Sequence, residues 1–89
     1  MIIGLDYDET YTLDPSFWDQ FIAKAKESGH KVYIVTARRS TPENVEQVQV
    51  PGCLVVFTGL ASKIWWMEHY YEKVDVWIDD DPLTCAQGH

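Results

Sequence analysis

Four short apolar runs occur along the chain, separated by longer and more polar stretches. The first run ends abruptly at Asp6, which is typical of a buried strand that carries a polar residue at its carboxyl end. The second run ends in the same way at Thr36. The pattern predicts four strands, at residues 2–5, 32–35, 54–57 and 74–78.

Three helical patterns lie between these strands. Asp14 before Pro15 and Thr41 before Pro42 each place a capping side chain ahead of a proline, which favours the start of a helix. A third helix is predicted over residues 61–72. The residues expected to face the core are Phe17, Phe21 and Ala25 in the first helix, Val45 and Val48 in the second, and Leu60, Ile64, Met67 and Tyr71 in the third.

The alternation of strands and helices predicts an α/β fold. We expect a three-layer, Rossmann-like parallel sheet with helices on both faces and strand order 4-1-2-3. Residues 1–89 contain no internal repeat or linker and are expected to form a single domain. In such sheets, ligands bind beyond the carboxyl ends of the strands, where Asp6, Thr36 and residues 79–81 lie.

The composition limits both stability and binding partners. A hydrophobic content of 46% over 89 residues allows one small core, which supplies only about 3–5 kcal/mol of net stability, so self-association stays open. The 14 acidic and 7 basic residues give a net charge of -7, which disfavours nucleic acid as a partner. A phosphorylated nucleic-acid end stays open as a substrate.

The sequence points to a cytoplasmic protein without membrane contact. No apolar run approaches the roughly 20 residues that span a bilayer, and no basic segment precedes the first strand. Cys53 and Cys85 do not form a disulfide framework. A metal shared by Cys85 and His89 is a weaker interpretation than an ordinary C-terminal tail.

Acidic residues are expected to converge at one edge of the sheet. If the first and last strands are neighbours, Asp6, Asp8, Asp79 and Asp80 lie close together. Lys63 alone cannot balance four carboxylates at short range. A hard divalent cation is the natural counter-charge, and oxygen ligands without histidine or cysteine favour Mg²⁺.

This constellation suits the hydrolysis of phosphate esters. Asp6 is the candidate nucleophile, and Asp8 is the candidate general acid and base. The Thr36 hydroxyl and the Lys63 ammonium are expected to hold phosphate oxygens while charge develops. The adjacent Arg38 and Arg39 are candidate substrate-binding residues, because a guanidinium can bind a phosphate or carboxylate through two hydrogen bonds.

The chain resembles the haloacid-dehalogenase superfamily, in its small, cap-less phosphatase form, over nearly its whole length. Four motifs carry the resemblance in order. They are Leu5-Asp6-Tyr7-Asp8-Glu9-Thr10, which matches D-x-D-x-T, then Ile34-Val35-Thr36, Lys63, and Trp77-Ile78-Asp79-Asp80-Asp81-Pro82.

The resemblance implies a magnesium-dependent phosphohydrolase that acts on phosphate monoesters through an aspartyl-phosphate. It implies that Asp6 is both nucleophile and metal ligand, and that Asp8 is the acid/base and binds metal through its backbone carbonyl. Asp80 is the implied fourth-motif ligand, supported by Asp79. Only residues 83–89 follow the fourth motif, where the superfamily usually has a further strand or helix.

Several alternatives remain at this point. Asp6 and Asp8 also suit turns, residues 79–81 suit a solvated acidic turn, and Arg38 with Arg39 suits a solvent-facing loop. Lys73 competes with Lys63 for the third motif. A response-regulator receiver domain gathers similar residues, but the D-x-D pattern at the first strand argues against it. A non-catalytic binding or assembly protein is the main alternative function.

Substrate and partner are predicted only in outline. Both intervals that carry a cap in related phosphatases are filled here by one short helical unit each. We therefore expect activity on a phosphorylated macromolecule or nucleic-acid end, or else weak activity on many small phosphate esters. The helix at 61–72 carries more aromatic side chains than one buried stripe can hide, which suggests a homo-oligomer through this helix.

Overall fold

The structure is a computed structural model that describes residues 1–88. The suggested metal site shared by Cys85 and His89 therefore lies outside the described residues. In chain order the elements are β1 (Ile2–Leu5), a 3₁₀ turn (Tyr11–Leu13), α1 (Pro15–Glu27), β2 (Lys31–Thr36), α2 (Pro42–Gln47), β3 (Leu54–Phe57), α3 (Lys63–Tyr70), β4 (Val76–Ile78) and α4 (Pro82–Gln87).

The four strands form one parallel sheet, which confirms the predicted α/β class. The order across the sheet is β3-β2-β1-β4, which is 4-1-2-3 counted from the β4 edge. Leu5 of β1 is in register with Ile34 of β2 and with Ile78 of β4. Because the strands are parallel and in register, the residues that follow them meet at one edge.

Helices cover both faces of the sheet. Ile22 and Ala25 of α1 pack with Ile3, Leu5 and Ile34 on one face. Met67 of α3 is fully buried on the other face, where its partners are Tyr33, Val35, Val56 and Val74. The first two helices, α1 and α2, begin where the sequence predicts, since the side chains of Asp14 and Thr41 accept hydrogen bonds from backbone amides three residues later.

A close approach between β1 and β4 requires glycine at position 4. A Cβ atom on Gly4 would lie 2.7 Å from the Cε3 and Cζ3 atoms of the Trp77 ring and 3.2 Å from Val74 Cγ1. Any larger residue would force the ring to move. Gly4 therefore lets Trp77 pack over the strand that ends at Asp6.

Four side chains predicted to face the core lie exposed instead, namely Phe17, Val45, Leu60 and Tyr71. The short α2 buries none of its residues, and Val48, one residue beyond it, enters the core. The third helix spans only 63–70, so Leu60 and Tyr71 lie outside it and do not share its buried face. The α1 helix reaches the core only from Trp18 onward.

The sequence prediction missed α4. This helix follows the fourth motif directly and packs on α3, where the Ser62 hydroxyl donates to the Cys85 carbonyl at 3.1 Å. Asp81 before Pro82 again places a capping residue ahead of a proline, as at the starts of α1 and α2, so the sequence did carry a signal for this helix. None of the helices within residues 1–88 has the length and apolar character needed to cross a membrane.

Candidate active site

A cleft of about 170 Å³ opens at the carboxyl edge of the sheet. Residues directly after β1 and β4, the last residue of β2 and the first residue of α3 all contribute to it. Its lining consists of Asp6, Asp8, Glu9, Thr36, Ala37, Lys63, Asp79, Asp80 and Asp81. The structure thus brings together every predicted catalytic and metal-binding residue, whereas Arg38 and Arg39 do not line the cleft.

Lys63 is the central cation of the cleft. Its side chain is 4% exposed, and its Nζ donates to Asp6 Oδ1 at 2.7 Å and to Asp79 Oδ2 at 2.6 Å. Burial lowers the pKa of Lys63, but the hydrogen bonds to the two carboxylates raise it by more, so the net pKa lies above the ordinary value. Lys63 therefore stays charged and links β1, α3 and β4.

Asp6 is the most enclosed carboxyl of the first motif. Burial, together with a hydrogen bond that protonated Asp6 donates to Asp80, raises the pKa of Asp6 to about 6, although Lys63 acts in the opposite direction. Thr10 Oγ1 also donates to Asp6 Oδ2 at 3.2 Å. These contacts fix the orientation of the carboxyl group, which faces the cleft at the end of β1.

The aspartate cluster, defined here as Asp6, Asp79 and Asp80, can hold a metal ion. One carboxylate oxygen from each residue lies within 4.8 Å of the other two. Because the donors are all oxygen atoms and carry excess negative charge, the cluster fits a hard divalent cation such as Mg²⁺. Asp79 is oriented by Lys63 and by the amide of Asp81, which donates to Asp79 Oδ1 at 2.9 Å.

The Asp8 carboxylate lies outside the aspartate cluster. Arg38 Nε donates to Asp8 Oδ2 at 2.9 Å, and Arg38 Nη2 donates to Asp8 Oδ1 at 2.8 Å. The guanidinium is also held by Asn44 Oδ1 at 3.1 Å and lies 5.4 Å from the centre of the Tyr7 ring. Asp8 thus lines the cleft while its charged group is directed toward Arg38.

Thr36 is positioned to donate a hydrogen bond into the cleft. Its side chain is buried, and its hydroxyl accepts from the backbone amide of Arg38 at 3.2 Å. Its carbonyl accepts from the amide and the hydroxyl of Thr58. Since the Thr36 hydroxyl acts as an acceptor here, its own proton can be donated to an oxygen atom in the cleft.

Sequence reasoning missed Glu9, the identity of the group that Thr10 contacts, and the pairing of Arg38 with Asp8. Glu9 lines the cleft and adopts a positive φ of 61°, an uncommon conformation for a residue other than glycine. Thr10 contacts the Asp6 side chain directly, and its spacing of four residues from Asp6 was the available signal. The pairing of Arg38 with Asp8 had no sequence signal. The substrate-binding role of the exposed Arg39 stays a prediction.

Comparison with known proteins adds no assignment. No protein-family model matches the chain, and neither the curated proteins nor the solved structures give a match. The residues of the cleft are therefore the basis for assigning a function.

Proposed function

We propose that the chain is a magnesium-dependent phosphohydrolase of the haloacid-dehalogenase type, which acts on phosphate monoesters through an aspartyl-phosphate on Asp6. The observation that carries the proposal is the meeting of Asp6, Lys63 and Asp79 in one cleft, joined by contacts of 2.7 and 2.6 Å. A buried nucleophile, a cation and a metal-binding carboxylate are the groups that phosphoryl transfer requires.

In the first step, an Asp6 carboxylate oxygen attacks phosphorus, a new O–P bond forms and the ester P–O bond breaks. The leaving oxygen takes a proton from Asp8. In the second step, water attacks the aspartyl-phosphate, Asp8 accepts the proton of the water, and the Asp6–phosphorus bond breaks. Inorganic phosphate leaves, and Asp6 and Asp8 return to their starting protonation states.

The other residues of the cleft act on the charge of the phosphoryl group. Lys63 and the Thr36 hydroxyl, which both line the cleft, donate to its oxygen atoms, where negative charge develops. Asp6, Asp79 and Asp80 would hold the cation, to which the resemblance adds the Asp8 backbone carbonyl. A bound Mg²⁺ supplies positive charge that offsets the carboxylates and the phosphate oxygens.

The open cleft supports a broad choice of substrates. Within residues 1–88, α1 alone lies between β1 and β2 apart from a 3₁₀ turn, and α2 alone lies between β2 and β3, so neither interval carries a lid. An uncovered site selects small substrates poorly and admits large ones. The proposed substrates are small phosphate esters or a phosphorylated macromolecule, and a nucleic-acid end is disfavoured by the net charge of -7.

The test is release of 4-nitrophenol from 4-nitrophenyl phosphate with and without Mg²⁺. We expect turnover with Mg²⁺ and a loss of more than about a thousandfold in Asp6→Asn, as is usual when a nucleophile is removed. Glu27→Gln is the control, because Glu27 is 73% exposed and remote from the cleft in α1. Equal rates for the unsubstituted chain and Asp6→Asn would refute the proposal.

A second candidate is a non-catalytic binding or assembly protein that keeps this fold. The supporting observation is the exposed aromatic surface of α3, where the Trp65 ring stacks on His69 with centroids 4.0 Å apart and contacts Tyr70 edge-on. Under this proposal the chain self-associates through α3. Sedimentation of the unsubstituted chain and of Trp65→Ser, compared at equal concentration, distinguishes an associating chain from a monomer.

A further inference from the structure

The ion pair with Arg38 holds the Asp8 carboxylate away from the position in which it could act as an acid and a base. Both Asp8 oxygens accept from the guanidinium, at 2.9 and 2.8 Å. The proposed function, on which this inference rests, requires an Asp8 oxygen to reach the leaving group and then water. Asp8 cannot do this while Arg38 occupies both of its oxygens, so the pair has to open during the reaction.

Arg38 is the better anchored member of the pair. Apart from Asp8, its guanidinium donates to Asn44 Oδ1 at 3.1 Å and to Gln47 Oε1 at 3.4 Å, and it lies over the Tyr7 ring. These partners belong to α2 and to the loop after β1. When the pair opens, Arg38 is therefore expected to stay in place while the Asp8 side chain moves.

The pair is also accessible to a ligand in solvent. The side chains of Arg38 and Asp8 are 31% and 47% exposed. The cation that lines the cleft, Lys63, is buried and already engaged by two carboxylates. An anionic group outside the cleft therefore meets the Arg38 guanidinium first. The residues that line the cleft also include six acidic ones, namely Asp6, Asp8, Glu9, Asp79, Asp80 and Asp81.

We infer that Arg38 exchanges the Asp8 carboxylate for a second anionic group of the substrate, so the preferred substrates are phosphate monoesters that also carry a carboxylate or a second phosphate. The incoming group accepts the two parallel hydrogen bonds that Asp8 gives up, so the number of charge-assisted bonds to Arg38 is conserved. The same event frees Asp8 to act on the leaving oxygen. Arg38 is thus a specificity-determining residue and a positioning residue for Asp8.

A binding experiment tests the exchange without requiring turnover. The probes are ethylphosphonate and 3-phosphonopropionate, which differ only by a terminal carboxylate. They are titrated in the presence of Mg²⁺ into ¹⁵N-labelled protein, with the Arg38 Nε–H signal as the readout. We expect 3-phosphonopropionate to bind at least about tenfold more tightly and to shift the Arg38 signal, whereas ethylphosphonate leaves this signal in place.

Two Arg38 variants and a matched control complete the design. Arg38→Gln removes the charge and is expected to bring the affinity ratio close to one. Arg38→Lys keeps the charge but not the two parallel donors, so an intermediate ratio is expected. Lys24→Gln makes the same charge change at a side chain that is 75% exposed in α1, and it is expected to keep the full ratio.

Three results would overturn the exchange. The first is an affinity ratio that is unchanged in Arg38→Gln. The second is an Arg38 signal that does not move at saturation with 3-phosphonopropionate. The third is a loss of affinity in Arg38→Lys that is equal for both phosphonates. Turnover of 4-nitrophenyl phosphate is measured separately. An Arg38-dependent ratio in a chain without turnover supports the anion exchange and refutes the phosphohydrolase, while turnover without such a ratio refutes the exchange alone.

Discussion

The Lys63 ammonium lies 2.7 Å from the Asp6 carboxylate, although 57 residues separate the two in the chain. The same ammonium bonds to Asp79, so one cation is shared between the ends of two neighbouring strands. Each of the three side chains is almost fully buried. The stability of the sheet edge and the chemistry of the cleft therefore depend on the same charges.

Removal of Lys63 should destabilise the fold strongly. Lys63→Met leaves Asp6 and Asp79 buried without their cation, and we expect a loss of about 3–5 kcal/mol in the free energy of unfolding. The measurement is urea denaturation without divalent cations. Lys24→Gln, which removes only an exposed contact of 3.7 Å to Glu27, should cost less than about 0.5 kcal/mol. Similar losses in both variants would contradict the structural role of Lys63.

The stability of the metal-free protein should depend on pH through Asp6. Its pKa is about 6 in the folded protein against 3.8 for the ordinary group, because burial and the Asp80 hydrogen bond favour the protonated form. The raised pKa contributes stability that is complete below pH 3.8 and is lost as the pH rises through 6. Lys63, with its raised pKa, contributes equally throughout this range.

The difference in unfolding free energy between the unsubstituted chain and Asp6→Asn isolates this effect. Between pH 4 and pH 7 we expect the unsubstituted chain to lose up to about 3 kcal/mol of unfolding free energy relative to Asp6→Asn. Urea denaturation in a chelator at several pH values measures it. A difference that is constant, or that shifts in favour of the unsubstituted chain as the pH rises, would contradict the raised pKa.

Mg²⁺ should stabilise the folded chain through the aspartate cluster. A cation that binds only the folded state adds about 2.7 kcal/mol at a concentration one hundred times its Kd. This gain in the free energy of unfolding is called the Mg²⁺ increment. Asp80→Asn removes one of the three carboxylates, so the Mg²⁺ increment should fall, while Glu27→Gln should retain it. Thermal unfolding across a Mg²⁺ series provides the comparison. The same increment in Asp80→Asn would exclude Asp80 as a ligand.

A methyl group at position 4 should disturb the fold and the cleft together. Gly4→Ala places a carbon atom 2.7 Å from the Trp77 ring, and overpacking of this kind costs about 1–3 kcal/mol. The cost should shrink when Trp77→Leu removes the ring, which a double-mutant cycle in urea measures. Because Asp6 and Asp79 follow these two strands, Gly4→Ala should also reduce the Mg²⁺ increment. Additive costs would show that the ring is not the cause.

Strand positions were predictable because each apolar run ends at a polar residue. The starts of α1 and α2 were predictable from their capping residues, and α3 from its stripe of apolar residues. Side-chain burial was less predictable. Val45 and Val48 have the same local pattern, yet one is 50% exposed and the other 2%. The difference arises because α2 ends before Val48, and the length of a short helix depends on tertiary contacts rather than on its own residues.

The convergence of Asp6, Lys63 and Asp79 was also predictable, since parallel strands place their carboxyl ends at one edge. The direction of each side chain was not. Asp8 turns to Arg38, 30 residues away, rather than to the other aspartates. That choice depends on how the loop after β2 packs against the loop after β1, and no periodic pattern in the sequence predicts the path of a loop.

The placement of β4 has a consequence for local unfolding. This strand has three residues, lies at the edge of the sheet and carries Asp79 and Asp80 at its end, whereas Asp6 follows the central β1. Edge segments with few contacts are the first to open in native-state hydrogen exchange. A cation held by all three carboxylates would tie the edge strand to the central one, so amide protection of residues 76–78 would report on occupancy of the site.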